Sequence, residues 1–339
     1  MLAAAHEVAL SVYEDNLERA LSFSWPMKRW KAQYHASVRR FNRLTAVAGG
    51  IIRQHQGIDG VLQIGAWFSA PHTTKVRCFS YHDGNAALRY RYYGRGLLSP
   101  VTQRKHLAWE RSVYEGMCGI FVMSQWLANS FIQDFGIPAS KVHVVGGGIN
   151  MVLPSEVPDR SWSSPRFLFV GKDFERKGGK YLLEAFKAVH DAIPNAQLIV
   201  VGPTLNIDQP GVQCAGYLSK ATVADAGRLK ELFCSATAVV LPSIYEPFGI
   251  SLLEGMAYGL PCIVVNRCAM PEIVQHGETG LIARAEDSAS LADAMIEIGR
   301  MSDSAAAMGA AGRRRVESDY TWSAVTTKMK TVLSDTYGI

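Results

Sequence analysis

The sequence lacks the marks of several protein classes. Its six cysteines form no Cys-x-x-Cys pair and have no metal-like spacing, so free thiols in a reducing compartment are expected, with no bound metal. No apolar run approaches the roughly 18 residues that a membrane-spanning helix needs. The chain starts with His6, Glu7 and Glu14, whereas a secretory signal would be basic and then apolar. These absences favour a globular cytoplasmic protein.

Acidic residues are missing from one long stretch. Between Arg19 and Ile58 there are eight basic residues and no acid, and residues 1–160 hold 18 Lys and Arg against 11 Asp and Glu, a net charge of +7. Residues 161–339 hold 17 against 19, a net charge of −2. The amino-terminal half is therefore suited to an anionic substrate or surface.

The periodicity of apolar residues predicts an α/β protein. In the first half it predicts helices at 2–21, 27–55, 100–117 and 125–135, and strands at 61–65, 75–82, 119–124 and 141–148. In the second half it predicts strands at 166–171, 196–202, 212–216, 238–243 and 261–266, with helices at 178–192, 222–234, 249–258, 288–301, 303–318 and 321–335. Strands that alternate with helices indicate parallel sheets with helices on both faces.

The 339 residues suffice for two such domains. A stretch rich in Gly, Pro and Ser separates them. We expect an amino-terminal domain at 1–150, a linker at 151–165, a ligand-binding domain at 166–318 and a final helical segment at 319–339; the resemblance described below implies that the first is the acceptor-side domain and the last a crossover helix. Ligands of doubly wound sheets bind beyond the carboxyl ends of the strands, so the loops at those ends are the candidate sites.

The segment "YEPFGISLLEGMAYGLP" (245–261) holds two acids, Glu246 and Glu254, around a predicted helix start. The free amides of Phe248, Gly249 and Ile250 would favour an anion there. A diphosphate flanked by two polyols would fit, with one acid for each polyol. A capping acid and a solvated helix acid would give the same spacing.

The segment "GKDFERKGG" (171–179) follows the first strand of the second domain. Its Lys172 and Lys177 would suit a diphosphate leaving group. Solvated loop lysines are the alternative.

In the first domain, His82 ends a strand and could hydrogen-bond a substrate, with Asp83 to orient it. Alternatively, Asp83 and Asn85 cap the next helix. The segment "RYRYYGRG" (89–96) could bind phosphates and stack on rings through its tyrosines and through Arg89, Arg91 and Arg95. A solvated helix end is the alternative.

The predicted helix at 27–55 is basic and amphipathic. It could lie on anionic lipid through Trp25, Trp30, Lys28, Arg29 and Lys31. A core helix with a solvated basic face is the alternative.

Residues 105–285 resemble the retaining glycosyltransferases of family 4. The resemblance is carried, in order, by "FLFVGKDFERKGGKYLLEAF", "LIVVGP", "LPSIYEPFGISLLEGMAYGLPCIV" and "MPEIVQHGETGLI". It is most specific at Glu246 and Glu254, which match the family's Glu-x7-Glu pair. It implies a GT-B fold of two facing Rossmann-like domains, the first of them abbreviated here and rich in helices at its start.

The resemblance also implies roles for individual residues. Glu246 would bind the hydroxyls of the donor sugar and Glu254 the ribose, while Lys172 and Lys177 bind the diphosphate. It places His82 beside the transferred sugar. It places Gly202 and Tyr217 near the base.

Three departures from the family pattern stand out. Lys172 occupies a position where the family commonly has Arg, which puts bidentate phosphate binding in question. Asn150 replaces an Asp after the linker glycine. The usual first strand with its Gly-Gly loop is missing, so no acceptor residues are carried over.

We therefore expect a retaining hexosyltransferase that needs neither a metal nor another cofactor. Its donor would be a UDP- or GDP-linked sugar, and its acceptor a glycan or lipid-linked intermediate at the inner membrane surface. An epimerase or hydrolase of sugar nucleotides, a nucleic-acid glycosyltransferase and a non-catalytic relative are the alternatives.

Overall fold

A computed structural model describes residues 4–25, 27–94, 96–157, 160 and 162–339. The chain divides into two compact units. Unit 1 consists of the chain up to Val145 together with the last segment, Met329–Ile339. Unit 2 is Gly146–Lys328.

Unit 1 begins with three helices: α1 (Val12–Leu21), α2 (Met27–His35) and α3 (Val38–Arg53). The prediction of a helix from residue 2 was wrong, because α1 begins after Ser11, which forms a capping box with Glu14. The single helix predicted at 27–55 was also wrong. The helix is interrupted at Ser37, whose side chain accepts a hydrogen bond from the Arg40 amide at 3.3 Å and caps the start of a new helix.

A four-stranded parallel sheet forms the core of unit 1. Its order is β1 (Gly60–Ile64), β2 (Arg77–His82), β3 (Gly119–Val122) and β4 (Val142–Val144). The helices between the strands are α4 (Ala86–Tyr92), α5 (Pro100–Glu115) and α6 (Gln125–Phe135), and a short 3₁₀ turn, Ala139–Lys141, precedes β4. Every residue of β3 is buried, as expected for a strand covered on both faces.

Unit 2 holds a six-stranded parallel sheet. Its strands are β5 (Arg166–Val170), β6 (Gln197–Val201), β7 (Val212–Gly216), β8 (Ala238–Leu241), β9 (Cys262–Val265) and β10 (Gly280–Ala283), in the order β10-β9-β8-β5-β6-β7. The helices are α7 (Gly179–Ala192), α8 (Val223–Ser235), α9 (Ile250–Ala257), α10 (Met270–Ile273), α11 (Ser288–Arg300) and α12 (Ser302–Asp319). Periodicity did not predict α10 and β10, which are four residues long each.

The last helix, α13 (Trp322–Tyr337), passes from unit 2 into unit 1. Within unit 1, the Tyr337 hydroxyl donates to the Cys118 carbonyl at 3.1 Å and lies 2.9 Å from Nε2 of His143. The Arg77 guanidinium donates to the Tyr337 carbonyl at 2.7 Å. These bonds attach the end of the chain to the sheet of unit 1.

Candidate active site

The predicted ligand-binding residues of unit 2 gather at one edge of its sheet. Lys172, Gly202 and Tyr217 follow β5, β6 and β7, and Glu246 lies in the loop after β8. Because these strands are parallel, their carboxyl ends meet at the same edge. The structure therefore brings together residues that lie up to 74 positions apart, from Lys172 to Glu246.

A buried ion pair joins two of these loops. The Lys177 ammonium donates to Oε2 of Glu246 at 2.7 Å, and the two side chains are only 12% and 11% exposed. Lys177 reaches this position beside Gly171, where an added Cβ would lie 2.2 Å from Cδ of the lysine. A lysine and a carboxylate held this close offer a phosphorylated sugar a cation for its phosphate and an acceptor for its hydroxyls.

Arg176 supports the same pair, and the sequence did not indicate it. Its guanidinium donates to the Tyr245 carbonyl and lies 3.8 Å from Oε2 of Glu246. Its own carbonyl accepts from the Ile244 amide at 2.9 Å. Arg176 thus fixes the loop after β5 to the loop after β8. Arg176 stands next to Lys177 in a polar loop, and nothing in the sequence distinguishes it from a solvated surface arginine.

The second acid of the motif is more deeply buried. Glu254, in the middle of α9, is 2% exposed and forms an ion pair with Lys220. Lys220 comes from the loop between β7 and α8, and its side chain is 47% exposed. Sequence reasoning missed Lys220, because only the tertiary fold places it against Glu254.

The same loop also reaches Lys172. The Lys172 ammonium lies 5.3 Å from the centre of the Tyr217 ring, in a cation–π contact. Tyr217 is 59% exposed, so one face of this large ring is open for stacking. The loop Tyr217–Lys220 therefore contacts two of the predicted ligand-binding residues.

Glycines shape the start of α9 and the strand ends. Gly249, the N-cap, has φ +93, a conformation that side chains disfavour, and Ile250 begins the helix. Phe248 is buried, and its ring lies 6.1 Å from that of Tyr320. A Cβ on Gly202 would lie 2.0 Å from the Gly171 carbonyl oxygen, so the loops after β5 and β6 touch at backbone level.

In unit 1, His82 ends β2 and is 3% exposed. Its ring packs against Tyr114 and Phe131 at centroid distances of 5.3 and 5.2 Å. Burial lowers the pKa of His82 to about 3, so the imidazole is neutral near pH 7. Nε2 has no hydrogen-bond partner among the described residues.

The other predicted residues of unit 1 are more dispersed. Asn85 caps α4 by accepting from the Leu88 amide at 2.9 Å, while Asp83 is exposed. Arg91 pairs with Asp134, and the Arg89 guanidinium lies 5.5 Å from the centre of the Tyr90 ring. Arg95 lies outside the described residues.

The basic residues of α2 are exposed: Lys28, Arg29 and Lys31. Beside them, Trp25 is 78% exposed, whereas the Trp30 indole donates to the Arg19 carbonyl at 2.8 Å and is turned toward α1. In the described part of the chain, no helix is both long and apolar enough to cross a membrane.

Comparison with known proteins agrees with this architecture. A family model described as "Glycosyl transferases group 1" matches residues 158–315. Alpha-maltose-1-phosphate synthase of Mycolicibacterium smegmatis is 27% identical over 243 residues, which cover 63% of this chain and 62% of that protein. This chain spans between 52 and 62% of the length of the first curated relatives that it matches.

Solved structures show the same fold. Sucrose-phosphate synthase from Thermosynechococcus elongatus has a TM-score of 0.67 at 20% identity, covering 87% of this chain and 78% of that one. Anabaena Alr3699/HepE in complex with UDP and glucose has a TM-score of 0.63 at 14% identity, covering 87% and 83%. The fold class is that of the GT-B glycosyltransferases, and the comparisons relate the chain to the glycosyltransferase superfamily.

Proposed function

We propose that this chain is a retaining glycosyltransferase that transfers a hexose from a UDP- or GDP-linked sugar to a glycan or lipid-linked acceptor. The observation that carries the proposal is the arrangement of the two acids in unit 2. Glu246 and Glu254 lie on either side of the α9 amino terminus, both buried, and each is held by a lysine. An elongated ligand with hydroxyls at both ends and negative charge between them matches this order.

The diphosphate would be bound by fixed positive charge. Lys177, Lys172 and the free amides at 248–250 supply that charge from two neighbouring loops. Charge that develops on the leaving phosphate is stabilised best by groups already in place, because they need not reorganise during the reaction. Metal independence is part of the proposal, and an unchanged rate in excess chelator tests it.

The two acids would bind the two polyols. Glu246 would accept hydroxyls of the donor sugar beside Lys177, and Glu254 would accept ribose hydroxyls in the place of Lys220. Tyr217, with an open ring face, would stack on the base or pack against the ribose.

The transfer itself would need no separate base. The bond between the anomeric carbon and the phosphate oxygen breaks, and the acceptor oxygen bonds to that carbon on the same face. Because the new bond forms on that face, the configuration is retained. The acceptor proton passes to the leaving phosphate oxygen. The role of His82 beside the sugar stays a prediction from the resemblance, and its imidazole is neutral near pH 7.

The acceptor would be presented at an anionic membrane surface. Phe23, Trp25 and Met27 are 66%, 78% and 46% exposed, and they adjoin the exposed cations of α2. Each basic residue near such a surface contributes about 1 kcal/mol of binding, and the exposed aromatics add an apolar contact.

A donor screen tests the catalytic proposal. Thermal shift with UDP- and GDP-sugars identifies the donor, and acceptor-free hydrolysis of that donor gives a rate. We expect Glu254→Ala to raise the donor KM and Glu246→Ala to lower kcat, because ribose contacts persist from ground state to transition state while charge develops at the sugar. Unchanged kinetics in both variants would refute the assignment. Nucleotide release with no transfer to any glycan or lipid acceptor would instead favour a hydrolase.

Vesicle co-sedimentation tests the membrane surface. The protein should bind anionic vesicles at low salt, and a variant with Gln at Lys28, Arg29 and Lys31 should not. A variant with Gln at Lys180, Lys187 and Lys230, exposed lysines of unit 2, is the matched control. Equal binding by the two triple variants would contradict the proposed surface.

A further inference from the structure

Unit 1 has a cavity of about 300 Å³ at the carboxyl end of β1. This is the edge of the sheet where His82 ends the neighbouring strand, since Ile64 pairs with Tyr81. The side chains that line the cavity come from the segment before α1, from α2 and α3, from β1 and from the turn after it; they include His6, His35, Arg40, Gln63, Trp67 and Phe68. Its volume is at the lower end of the range for small-molecule sites.

The turn after β1 is rigidly built. The Gln63 amide donates to the carbonyls of Gly65 and Phe68 at 2.7 and 2.8 Å, and its oxygen accepts from the Ala70 amide at 3.0 Å. Thr45 of α3 accepts from the Ser69 amide at 3.0 Å. This backbone is fixed by buried hydrogen bonds, so the residues on the turn are held in place without a ligand.

This fixed turn carries an aromatic ring that is not buried in the core. Trp67 is 40% exposed, and its ring lies 5.2 Å from the His35 ring. The Arg40 guanidinium lies 5.7 Å from the centre of the Trp67 ring and 4.8 Å from that of Tyr34. An exposed indole with a cation at its side is a surface on which a sugar ring can stack while the cation holds an anionic substituent.

The charge around the cavity is positive. In the part of the chain that the structure describes, no carboxylate forms an ion pair with Arg40. Asp15 is hydrogen-bonded to Tyr34 and Arg19, and these bonds, together with the charges of Arg19 and Arg40, lower the pKa of its carboxyl. Burial and the charges of Arg40, Arg89, Arg19 and Lys31 lower the pKa of His35 to about 4.

We propose that this cavity binds an acidic sugar unit, a hexose ring carrying a carboxylate or a phosphate, with Trp67 against the ring and Arg40 on the anionic group. That this unit belongs to the acceptor rests on the proposed function, whereas the binding itself does not. The cavity thereby narrows the acceptor to an anionic glycan or glycolipid.

Ligand-observed NMR titration of the full chain tests this with four probes: glucuronic acid, glucose 6-phosphate, glucose and inorganic phosphate. We expect at least one acidic sugar to bind, and glucose and inorganic phosphate to bind at least about tenfold more weakly, because each lacks one of the two contacts. Arg40→Gln and Trp67→Ala should each weaken binding of the acidic sugar at least about tenfold. Trp67→Phe should restore much of it.

Arg53→Gln, at the end of the same helix, is the matched control and should bind like wild type. Acceptor-free donor hydrolysis is measured alongside and should be equal in wild type and Arg53→Gln. Binding of glucose as tight as that of both acidic sugars, or binding that survives Arg40→Gln, overturns the proposal. Absence of donor hydrolysis in wild type would refute the proposed function and leave the binding result standing.

Discussion

Lys220→Met tests whether the acid in α9 depends on its lysine. Glu254 is 2% exposed, and Lys220 is its only hydrogen-bond partner among the described side chains. A buried acceptor left without a partner costs about 1–3 kcal/mol, and more when it is charged. Because the Lys220 side chain is 47% exposed and water can partly replace it, we expect a loss of about 1–2 kcal/mol.

Removal of Lys220 and removal of Glu254 should lower the stability of unit 2 by different amounts. Glu254→Met leaves a half-exposed lysine that water can solvate, so it should destabilise unit 2 less than Lys220→Met does. The double variant Lys220→Met/Glu254→Met should recover most of the loss, because neither charge remains. Arg228→Met is the surface control, since its pair with Glu231 is 61% and 69% exposed and should contribute at most about 1 kcal/mol.

Urea unfolding and thermal melting of the four variants measure these differences. A loss of 1 kcal/mol lowers the melting temperature of a domain of this size by about 2–4 °C. The reasoning fails if Lys220→Met costs no more than Arg228→Met, or if Glu254→Met is the more damaging of the two single variants.

Three further outcomes are expected. Lys177→Ala should lower kcat of donor hydrolysis by about 10²–10³-fold at unchanged fold, because it removes one preorganised charge from the leaving group, and a rate within a few-fold of wild type would contradict this. Gly171→Ala should lower the same rate without removing any charge, since its Cβ would lie 2.2 Å from Cδ of Lys177, while Gly50→Ala, with open space around its Cβ, should not. Burial lowers the pKa of His82 and of His106 to about 3 and raises the pKa of Glu110 to about 7. The pKa of His35 is likewise lowered, to about 4. Between about pH 6.5 and 4.5 the unfolded chain therefore gains protons at three histidines and the folded chain at one glutamate, so stability should fall by about 2.7 kcal/mol per pH unit on acidification; melting temperatures that stay level or rise would contradict the sign.

The sheet of unit 2 could be predicted because each strand carries its signal locally. The runs around Phe167 and Val239 are apolar, short and bounded by Gly or Pro, and their helices follow at regular spacing. The strand β5 was predicted at 166–171 and is Arg166–Val170. β10 was not predicted, because its four residues, Gly280–Ala283, give too little periodicity to detect.

The amino-terminal helices show where periodicity misleads. Apolar spacing continues across Ser37, so the pattern alone predicts one helix. The break depends on hydrogen bonds made after folding: the Ser37 hydroxyl accepts from Arg40 and also donates to buried Glu18 at 3.1 Å. A serine that caps one helix and contacts another cannot be told from a solvated serine by its position in the sequence.

The candidate site likewise contains residues that the sequence indicated and residues that only the fold reveals. The resemblance predicted Glu246, Glu254 and Lys177, since they lie in two short contiguous motifs. Lys220 and Arg176 were missed, because their importance lies in which acid each one meets across the sheet edge.

Those missed partners change how the site would work. Glu246 is paired with Lys177, Glu254 with Lys220, and Lys172 with the Tyr217 ring. If the proposed function holds, the donor would exchange partners with charges that these contacts already hold in place. Exchange at Glu254 costs least, because Lys220 is half exposed and can return to water, whereas Lys177 is 12% exposed and stays where a phosphate would need it. On the proposed roles, the contact at the ribose end would be replaceable and the one at the reacting end fixed, which is the division that catalysis by differential binding requires.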